Sequence, residues 1–195
     1  MEVSNWCMAR QWRRSNLGVD YLPGDNPLAA ETTKDAPLVF VGLGVVAPAF
    51  KRDDYAGLDV RNKIVVVLAG TPATLPTEAP AHYGNGINKR RVAVEHGAIG
   101  MITDYTPIRE KVSPFARSVR NWRSLGATRA HQDGTPKVPG GSASNLATLG
   151  VAGAAKLFAW LANGADAVFA AAKGQDTNPK RMALRSGRAL RSRPR

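Results

Sequence analysis

The sequence predicts an α/β fold with a small β-rich core and flanking helices, and three neighbouring segments support this prediction. Residues 64–68 read IVVVL, a run of five apolar residues that is typical of a central strand buried on both faces. Residues 85–96 have the composition of a short helix, and Gly97 stands where a left-handed C-cap is expected. Residues 99–103 form a second apolar run, so strand, helix and strand follow one another as in a parallel crossover unit.

The segment before this unit predicts another strand. Residues 37–41 (PLVFV) are a short apolar run between Pro and Gly, as expected of a buried strand. Gly42 and Gly44 follow it, and two glycines within a strand pattern predict a bulge or a close approach of two backbone segments. Residues 50–63 are rich in charge and predict a turn or a single helical turn.

The second half of the chain has weaker patterns. Residues 106–142 contain four prolines and predict a loop-rich stretch. Residues 151–172 are rich in Ala and predict a helix, which Asn163 and Gly164 interrupt.

The chain has 195 residues, which is the size of one domain with extensions. We divide it into an irregular lead-in over residues 1–35, a domain over residues 36–173, and a basic tail over residues 174–195. Residues 178–195 hold seven Lys or Arg and no acid, with few residues able to form a core. This composition predicts a disordered tail.

Several broad classes of protein are excluded or disfavoured by composition. No apolar run is long enough to span a membrane, and the N-terminus has no uninterrupted apolar stretch, so we expect no cleavable signal peptide in this chain. Cys7 is the single cysteine, which excludes an intramolecular disulfide and a Cys-rich zinc module. A lone thiol leaves the cellular compartment open.

One pattern matches a dinucleotide-binding motif on paper. Gly42, Gly44 and Ala47 fit G-x-G-x-x-A directly after a predicted strand. Such a motif needs a helix to begin at this point, so that its amide N–H groups face the pyrophosphate. Pro48 and the charged turn after it predict no helix, so we expect no nucleotide site.

A second pattern has the form of a metal-binding pair. His131 and Asp133 fit H-x-D, but they stand in a polar segment with no apolar strand before it, and a zinc enzyme needs a third ligand on a rigid element. His82 and His96 have no partner at a clear ligand spacing except Glu95, which neighbours His96. We therefore expect no metal site in this chain.

Candidate nucleophiles and acid–base pairs are also weak. Ser142 and Ser144 lie in PGGSASN, which lacks the second Gly of a nucleophile elbow, and Cys7 has no nearby His. Asp53 and Asp54 are adjacent, and we expect them to cap the charged turn. The sequence thus predicts no catalytic, cofactor-binding or metal-binding residue.

Nucleic-acid binding is an alternative that the charge keeps open. The net charge is +12, and Trp6 and Trp12 stand among arginines, a combination that can bind phosphates and stack on bases. Without residues 178–195 the surplus falls to five, and no nucleic-acid-binding module is recognisable. Trp6 and Trp12 also fit a helix that packs on a partner surface, which we favour.

The run from residue 35 to residue 70 resembles the start of a protease-associated (PA) domain. It is most similar to the PA domain of secreted bacterial zinc aminopeptidases of peptidase family M-twenty-eight, which has a VFVGYG strand, an APEY…DDYAGLDVKGK turn and an IVVVL strand. The matching residues here are 39–44, 47–63 and 64–68. A helix ending in A…GA.G, followed by an apolar strand, corresponds to residues 91–100 and 101–103.

The resemblance weakens further along the chain, where a P…S…A..LF pattern is matched by Pro139, Ser144, Ala154, Ala155, Leu157 and Phe158. It covers about residues 35–173. Two departures stand in its most specific part, since Leu43 replaces the usual Tyr and Ala49–Phe50 replaces the Glu–Tyr pair.

The resemblance implies a PA-like fold and a non-catalytic accessory role. In the family, a separate catalytic domain holds two zinc ions with His, Asp and Glu side chains, and we find none of its motifs in this chain. The chain would then shield an active site or contact a peptidase catalytic domain or a protein or peptide substrate, with no membrane partner. One alternative is a subunit of a working zinc peptidase whose catalytic domain lies on another chain. A second is a basic nucleic-acid-binding protein. Members of the family are mostly secreted or periplasmic.

Overall fold

A computed structural model describes residues 15–24, 32–76, 78–122, 124, 129–138, 140–141, 143–159, 164–174 and 190–192. The strands are β1 Tyr21–Pro23, β2 Thr32–Lys34, β3 Leu38–Phe40, β4 Val46–Ala47, β5 Arg52–Asp53, β6 Ile64–Leu68, β7 Gly100–Asp104, β8 Ser144–Leu149 and β9 Leu190–Ser192. The helices are α1 Ala79–Tyr83, α2 Gly86–Glu95, α3 Pro107–Val112, α4 Phe115–Asn121, α5 Val151–Phe158 and α6 Gly164–Gly174. The fold is therefore α/β, as the sequence predicts.

A five-stranded mixed sheet forms the centre of the molecule, with the strand order β1-β8-β7-β6-β3. Strands β3, β6, β7 and β8 run parallel to one another, and β1 is antiparallel at the edge beside β8. All five residues of β6 are buried, which confirms the prediction of a central strand. The crossover through α2 to β7 is confirmed as well.

Helices cover both faces of this sheet because side chains alternate along each strand. On one face, Val66 and Ile102 belong to a cluster that includes Leu157 and Phe158 of α5. On the other face, Val65 and Met101 pack with residues that include Ala93 of α2.

Local sequence signals set the bounds of α2. The side chain of Asn85 accepts a hydrogen bond from the Ile87 N–H at 2.8 Å and caps the first turn. Gly97 has φ +85° directly after the helix, which confirms the predicted left-handed stop.

A hairpin of β4 and β5 follows β3, joined by a 3₁₀ turn over Pro48–Phe50. Gly44, with φ +65°, lies just before this hairpin, and a Cβ there would lie 2.8 Å from Cγ1 of Val67. The predicted close approach of two segments is therefore present. The charged stretch at residues 50–63 forms turns, as predicted, but it also contains strand β5, which the sequence does not predict.

Several elements differ from the sequence-based expectations, and one of them is strand β2, which lies within the predicted irregular lead-in. Tyr21–Pro23, placed in the irregular lead-in, joins the sheet as edge strand β1. The predicted loop at residues 106–142 contains α3 and α4, because Pro107 occupies the first turn of α3 and Thr106 caps it. Ser144 begins a six-residue strand, β8, instead of belonging to a loop.

Two segments from the ends of the described chain pair with each other. Strand β2 and strand β9 form a two-stranded antiparallel sheet, with Thr32 opposite Ser192. Most of the tail at residues 174–195 lies outside the described residues, so its disorder stays a prediction, although Gly174 ends α6 and Leu190–Ser192 form a strand. None of the helices in the described ranges is long and apolar enough to cross a membrane.

Candidate functional site

The carboxyl ends of β3, β6, β7 and β8 meet at one edge of the sheet, where open α/β sheets commonly bind ligands. We call this the carboxyl edge. The β4–β5 hairpin follows β3 here, a Pro-rich loop follows β6, α3 follows β7 and α5 follows β8. Buried charged side chains hold these segments in place.

Lys89 extends from α2 to the end of β6 and is buried. Its ammonium group donates hydrogen bonds to the carbonyl oxygens of Leu68 at 2.9 Å and of Gly70 at 2.6 Å. Burial lowers the pKa of Lys89 to about 7, although the Asp54 carboxylate opposes this shift. The two carbonyl partners give Lys89 a structural role, because they fix the start of the loop after β6.

Asp54 anchors the β4–β5 hairpin to the segment that precedes it. One carboxylate oxygen accepts the Val45 N–H at 2.9 Å, and the other pairs with the Arg52 guanidinium at 2.9 Å. Burial raises the pKa of Asp54, and these two partners oppose the increase. Asp53 accepts the Tyr55 N–H at 2.8 Å and caps the turn as predicted, whereas Asp54, for which the same role is predicted, binds Val45 and Arg52 instead.

Asp104 ends β7 and is fully buried. Neither of its carboxyl oxygens has a hydrogen-bond partner among the described residues. Burial raises the pKa of Asp104 well above its ordinary value, which favours the uncharged acid. Because the group is closed to solvent, it is not placed to exchange protons with a substrate.

A third buried carboxyl group, Asp20, lies beside the start of α5. It accepts the Asn16 N–H at 2.7 Å and pairs with the ammonium group of Lys156 at 2.6 Å. The backbone carbonyl of Asp20 also accepts the Gly150 N–H at 2.9 Å. These contacts fasten the segment before β1 to α5.

The histidines that the sequence singles out have structural neighbours. His96 stacks on the ring of Tyr55, with 4.4 Å between ring centroids, and its Nδ1 lies 2.8 Å from the Val92 carbonyl oxygen. His82 lies 3.2 Å from the side-chain nitrogen of Asn88. Burial, with a smaller contribution from Asp54, raises the pKa of Tyr55.

The H-x-D pair is in a solvent-exposed turn. Asp133 accepts hydrogen bonds from the Thr135 N–H at 2.9 Å and from its hydroxyl at 2.6 Å. These bonds lower the pKa of Asp133 and give the carboxylate a turn-forming role. Within the described ranges, no three His, Cys, Asp or Glu side chains stand close enough to hold a metal ion.

The remaining residues of the sequence motifs lie at the following positions. After Gly42 and Gly44 comes the short strand β4, which includes Ala47, instead of the helix that a dinucleotide site requires. Ser144 begins β8, while Cys7, Trp6, Trp12 and Ser142 lie outside the described residues.

Four charged residues at this edge are absent from the sequence-based predictions, namely Lys89, Asp104, Asp20 and Lys156. One signal was present, because Asp104 directly follows the apolar run Met101–Thr103 and so stands at the end of a buried strand. Nothing in the local pattern marks Lys89 as buried, since it stands among other charged residues of α2.

Comparison with known proteins finds no matching family model and no matching curated protein. Among solved structures, the fold is similar to the aminopeptidase from Aneurinibacillus sp. strain AM-1 at 17% sequence identity, with a TM-score of 0.36. The match covers 86% of this chain and 26% of that one, so the chain spans about a quarter of the aminopeptidase's length.

Proposed function

We propose that this chain is a non-catalytic PA-type module of a zinc aminopeptidase-like protein, which contacts a substrate or a partner protein. The observation that carries the proposal is the folding of the residues in which the resemblance is most specific. Strand β3, the β4–β5 hairpin and β6 form one continuous unit, in which Leu38 pairs with Ile64. This is the strand–turn–strand order that the PA resemblance implies.

The chemistry of the carboxyl edge supports an accessory role. The charged groups of Lys89, Asp54 and Asp20 are each bound to specific partners, which leaves them to hold loops in place. The carboxylate of Asp133 is engaged in its own turn. Hydrolysis and the zinc ions would then belong to a catalytic domain that this chain accompanies.

An activity assay tests the proposal. The purified full chain is incubated with aminoacyl p-nitroanilides, with and without added Zn²⁺, and its bound zinc is measured after dialysis. We expect no turnover above buffer and no stoichiometric zinc. The Asp133→Ala variant is the matched control, and zinc-dependent turnover that disappears in this variant would contradict the proposal.

A further inference from the structure

The crossover between β7 and β8 contains α3 and α4, which together we call the α3–α4 arm. Its backbone is firmly positioned. The Thr106 hydroxyl accepts the Arg109 N–H at 3.1 Å, and the Glu110 carboxylate accepts the Phe115 N–H at 3.0 Å. The Phe115 ring is buried edge-on against Tyr105, with 5.4 Å between centroids. The outer side chains of the arm are therefore presented on a fixed support.

Two large aliphatic side chains on this arm face solvent. Ile108 is 48% exposed and Val112 is 74% exposed. They stand one turn apart in α3 and so share a helix face. Exposed apolar groups that adjoin one another and are rimmed by polar residues are a feature of interaction surfaces.

The arm is also rich in cations, and Arg109 and Lys111 adjoin the apolar pair along α3. Arg109, Lys111, Arg117 and Arg120 are all exposed, and the single acid of the arm, Glu110, is engaged with the Phe115 N–H. The ion pairs among the described residues involve other cations, namely Arg52, Arg61, Lys63, Arg91 and Lys156. The arm thus has a surplus of positive charge beside exposed aliphatic side chains.

We propose that the α3–α4 arm is a docking surface for an acidic polypeptide segment that carries aliphatic or aromatic side chains. Such a segment supplies carboxylates to Lys111, Arg117 and Arg120 and an apolar side chain to Ile108 and Val112. Complementary charge steers the encounter, and removal of the aliphatic pair from water adds affinity.

Charge and polarity also distinguish this occupant from its competitors. A second copy of the chain in a symmetric dimer would place this basic surface against itself, where like charges repel. A nucleic acid would neutralise the cations but would set Ile108 and Val112 against a polar backbone.

This inference rests on the proposed function, since it names a binding surface and the partner chemistry for a contact module. Different results would contradict the proposed function and the docking surface. Zinc-dependent hydrolysis would overturn the accessory role and leave peptide binding intact, whereas absence of peptide binding would overturn the docking surface and leave the accessory role intact.

The test uses the full chain and a short fluorescein-labelled peptide in which Glu alternates with Leu and Phe. Fluorescence anisotropy at physiological salt is expected to show saturable binding. Lys111→Glu/Arg117→Glu is expected to weaken it about fivefold or more. Val112→Ser is expected to weaken it about threefold.

Matched variants control for net charge and exposed apolar area. Arg129→Glu/Lys173→Glu makes the same charge change at exposed sites elsewhere, and Ile87→Ser removes an exposed aliphatic group from α2. Both are expected to bind like the parent, although the basic residues of 178–195 also attract acids. Thermal melting verifies that each variant is folded. If Lys111→Glu/Arg117→Glu melts early, Lys111→Gln/Arg117→Gln replaces it, and we expect a smaller loss of peptide affinity.

Several results would overturn the docking surface. They are no saturable binding at millimolar peptide, equal weakening by the control variants, or equal affinity for polyglutamate without apolar side chains. Tighter binding of a DNA duplex, lost in Lys111→Glu/Arg117→Glu but kept in Val112→Ser, would assign the arm to nucleic acid. Dimerisation abolished by Val112→Ser would assign it to a second copy.

Discussion

The two buried carboxyl groups beside the junction of β8 and α5 have opposite surroundings. Asp20, next to edge strand β1, has a backbone N–H and the Lys156 ammonium as partners. Asp104, at the end of interior strand β7, has no hydrogen-bond partner among the described residues. Burial alone therefore does not define the role of an acid, because a partnered carboxylate fastens two segments while an unpartnered one stays uncharged.

The largest effect on stability is expected when a new carboxyl group is introduced in the middle of a buried strand, where it has no hydrogen-bond partner. Val66 is fully buried in the centre of β6. Val66→Asp is expected to lower the free energy of unfolding by about 4 kcal/mol or more, because a carboxyl group without a hydrogen-bond partner replaces a buried aliphatic side chain. Val66→Ala, the control, is expected to lose roughly 2 kcal/mol. Urea unfolding measures both, and a Val66→Asp chain with the parental transition would contradict the strand assignment.

The next effect concerns the close packing that places Asp20 against α5. A Cβ at residue 153 would lie 2.0 Å from the Asp20 carbonyl oxygen, so Gly153→Ala is expected to lower the free energy of unfolding by about 3 kcal/mol. Gly86→Ala is the matched control, because its Cβ meets nothing within 4 Å in the first turn of α2. It is expected to be neutral or to stabilise by up to about 1 kcal/mol. Similar melting of the two variants would show that α5 does not pack this closely.

The ion pair itself is expected to contribute less. Asp20→Asn keeps the size of the side chain but removes the charge that Lys156 neutralises, and we expect a loss of about 2 kcal/mol. A double-mutant cycle with Lys156→Met measures the coupling, which we expect to be at least about 0.5 kcal/mol. Additive losses would mean that the pair holds no segment in place.

The smallest effect is expected for Asp104, and it depends on pH. In the folded state burial raises the pKa of Asp104, so the folded protein keeps a proton that the unfolded chain, with a pKa near 3.8, releases. The stability that this proton provides is complete below that pH and is lost as the pH rises through the folded-state pKa. Asp104→Asn has no ionisable group at this position, so its stability does not fall with rising pH for this reason.

Relative to the parent, we therefore expect Asp104→Asn to gain about 1 kcal/mol of stability between pH 4 and pH 5. Urea unfolding at the two pH values measures this gain. Asp133→Asn serves as a control, because hydrogen bonds lower the pKa of that exposed carboxylate from 3.8, so it is mostly ionised in both states above pH 4 and its variant is expected to run nearly parallel to the parent over the same interval. A constant difference between Asp104→Asn and its parent would mean that Asp104 is ionised in the fold.

The sequence predicts those strands that consist of uninterrupted apolar runs. Residues 37–41, 64–68 and 99–103 are each followed within two positions by Gly or a charged residue, and all three overlap strands of the sheet. Strand β8 mixes Ser, Asn and Thr with Leu and Ala, and β1 has only three residues, so neither has a period that stands out. In the α3–α4 arm, Pro107 marks the first turn of a helix, although in a loop-rich context it is also typical of a turn.

The candidate site is predicted less completely because it depends on distant contacts. The partners of Lys89 are carbonyl groups at Leu68 and Gly70, about twenty residues earlier in the chain. Asp20 meets Lys156 across almost the whole domain. Such pairs form only when the sheet has formed, so the spacing of residues along the sequence does not predict them. The capping role of Asp53, by contrast, is local and is predicted correctly.

The position of β1 has a consequence for the order of folding. Tyr21 pairs with Leu149, about 130 residues later, whereas β6 and β7 are joined by one short crossover. Because closing a long loop costs more conformational entropy and slows pairing, we expect the parallel strands to form first and β1 to dock late. Pulse-labelled hydrogen exchange would then protect the Val66 amide before the Leu22 amide. Asp20 directly precedes β1, so its ion pair with Lys156 would form late, after the core has assembled.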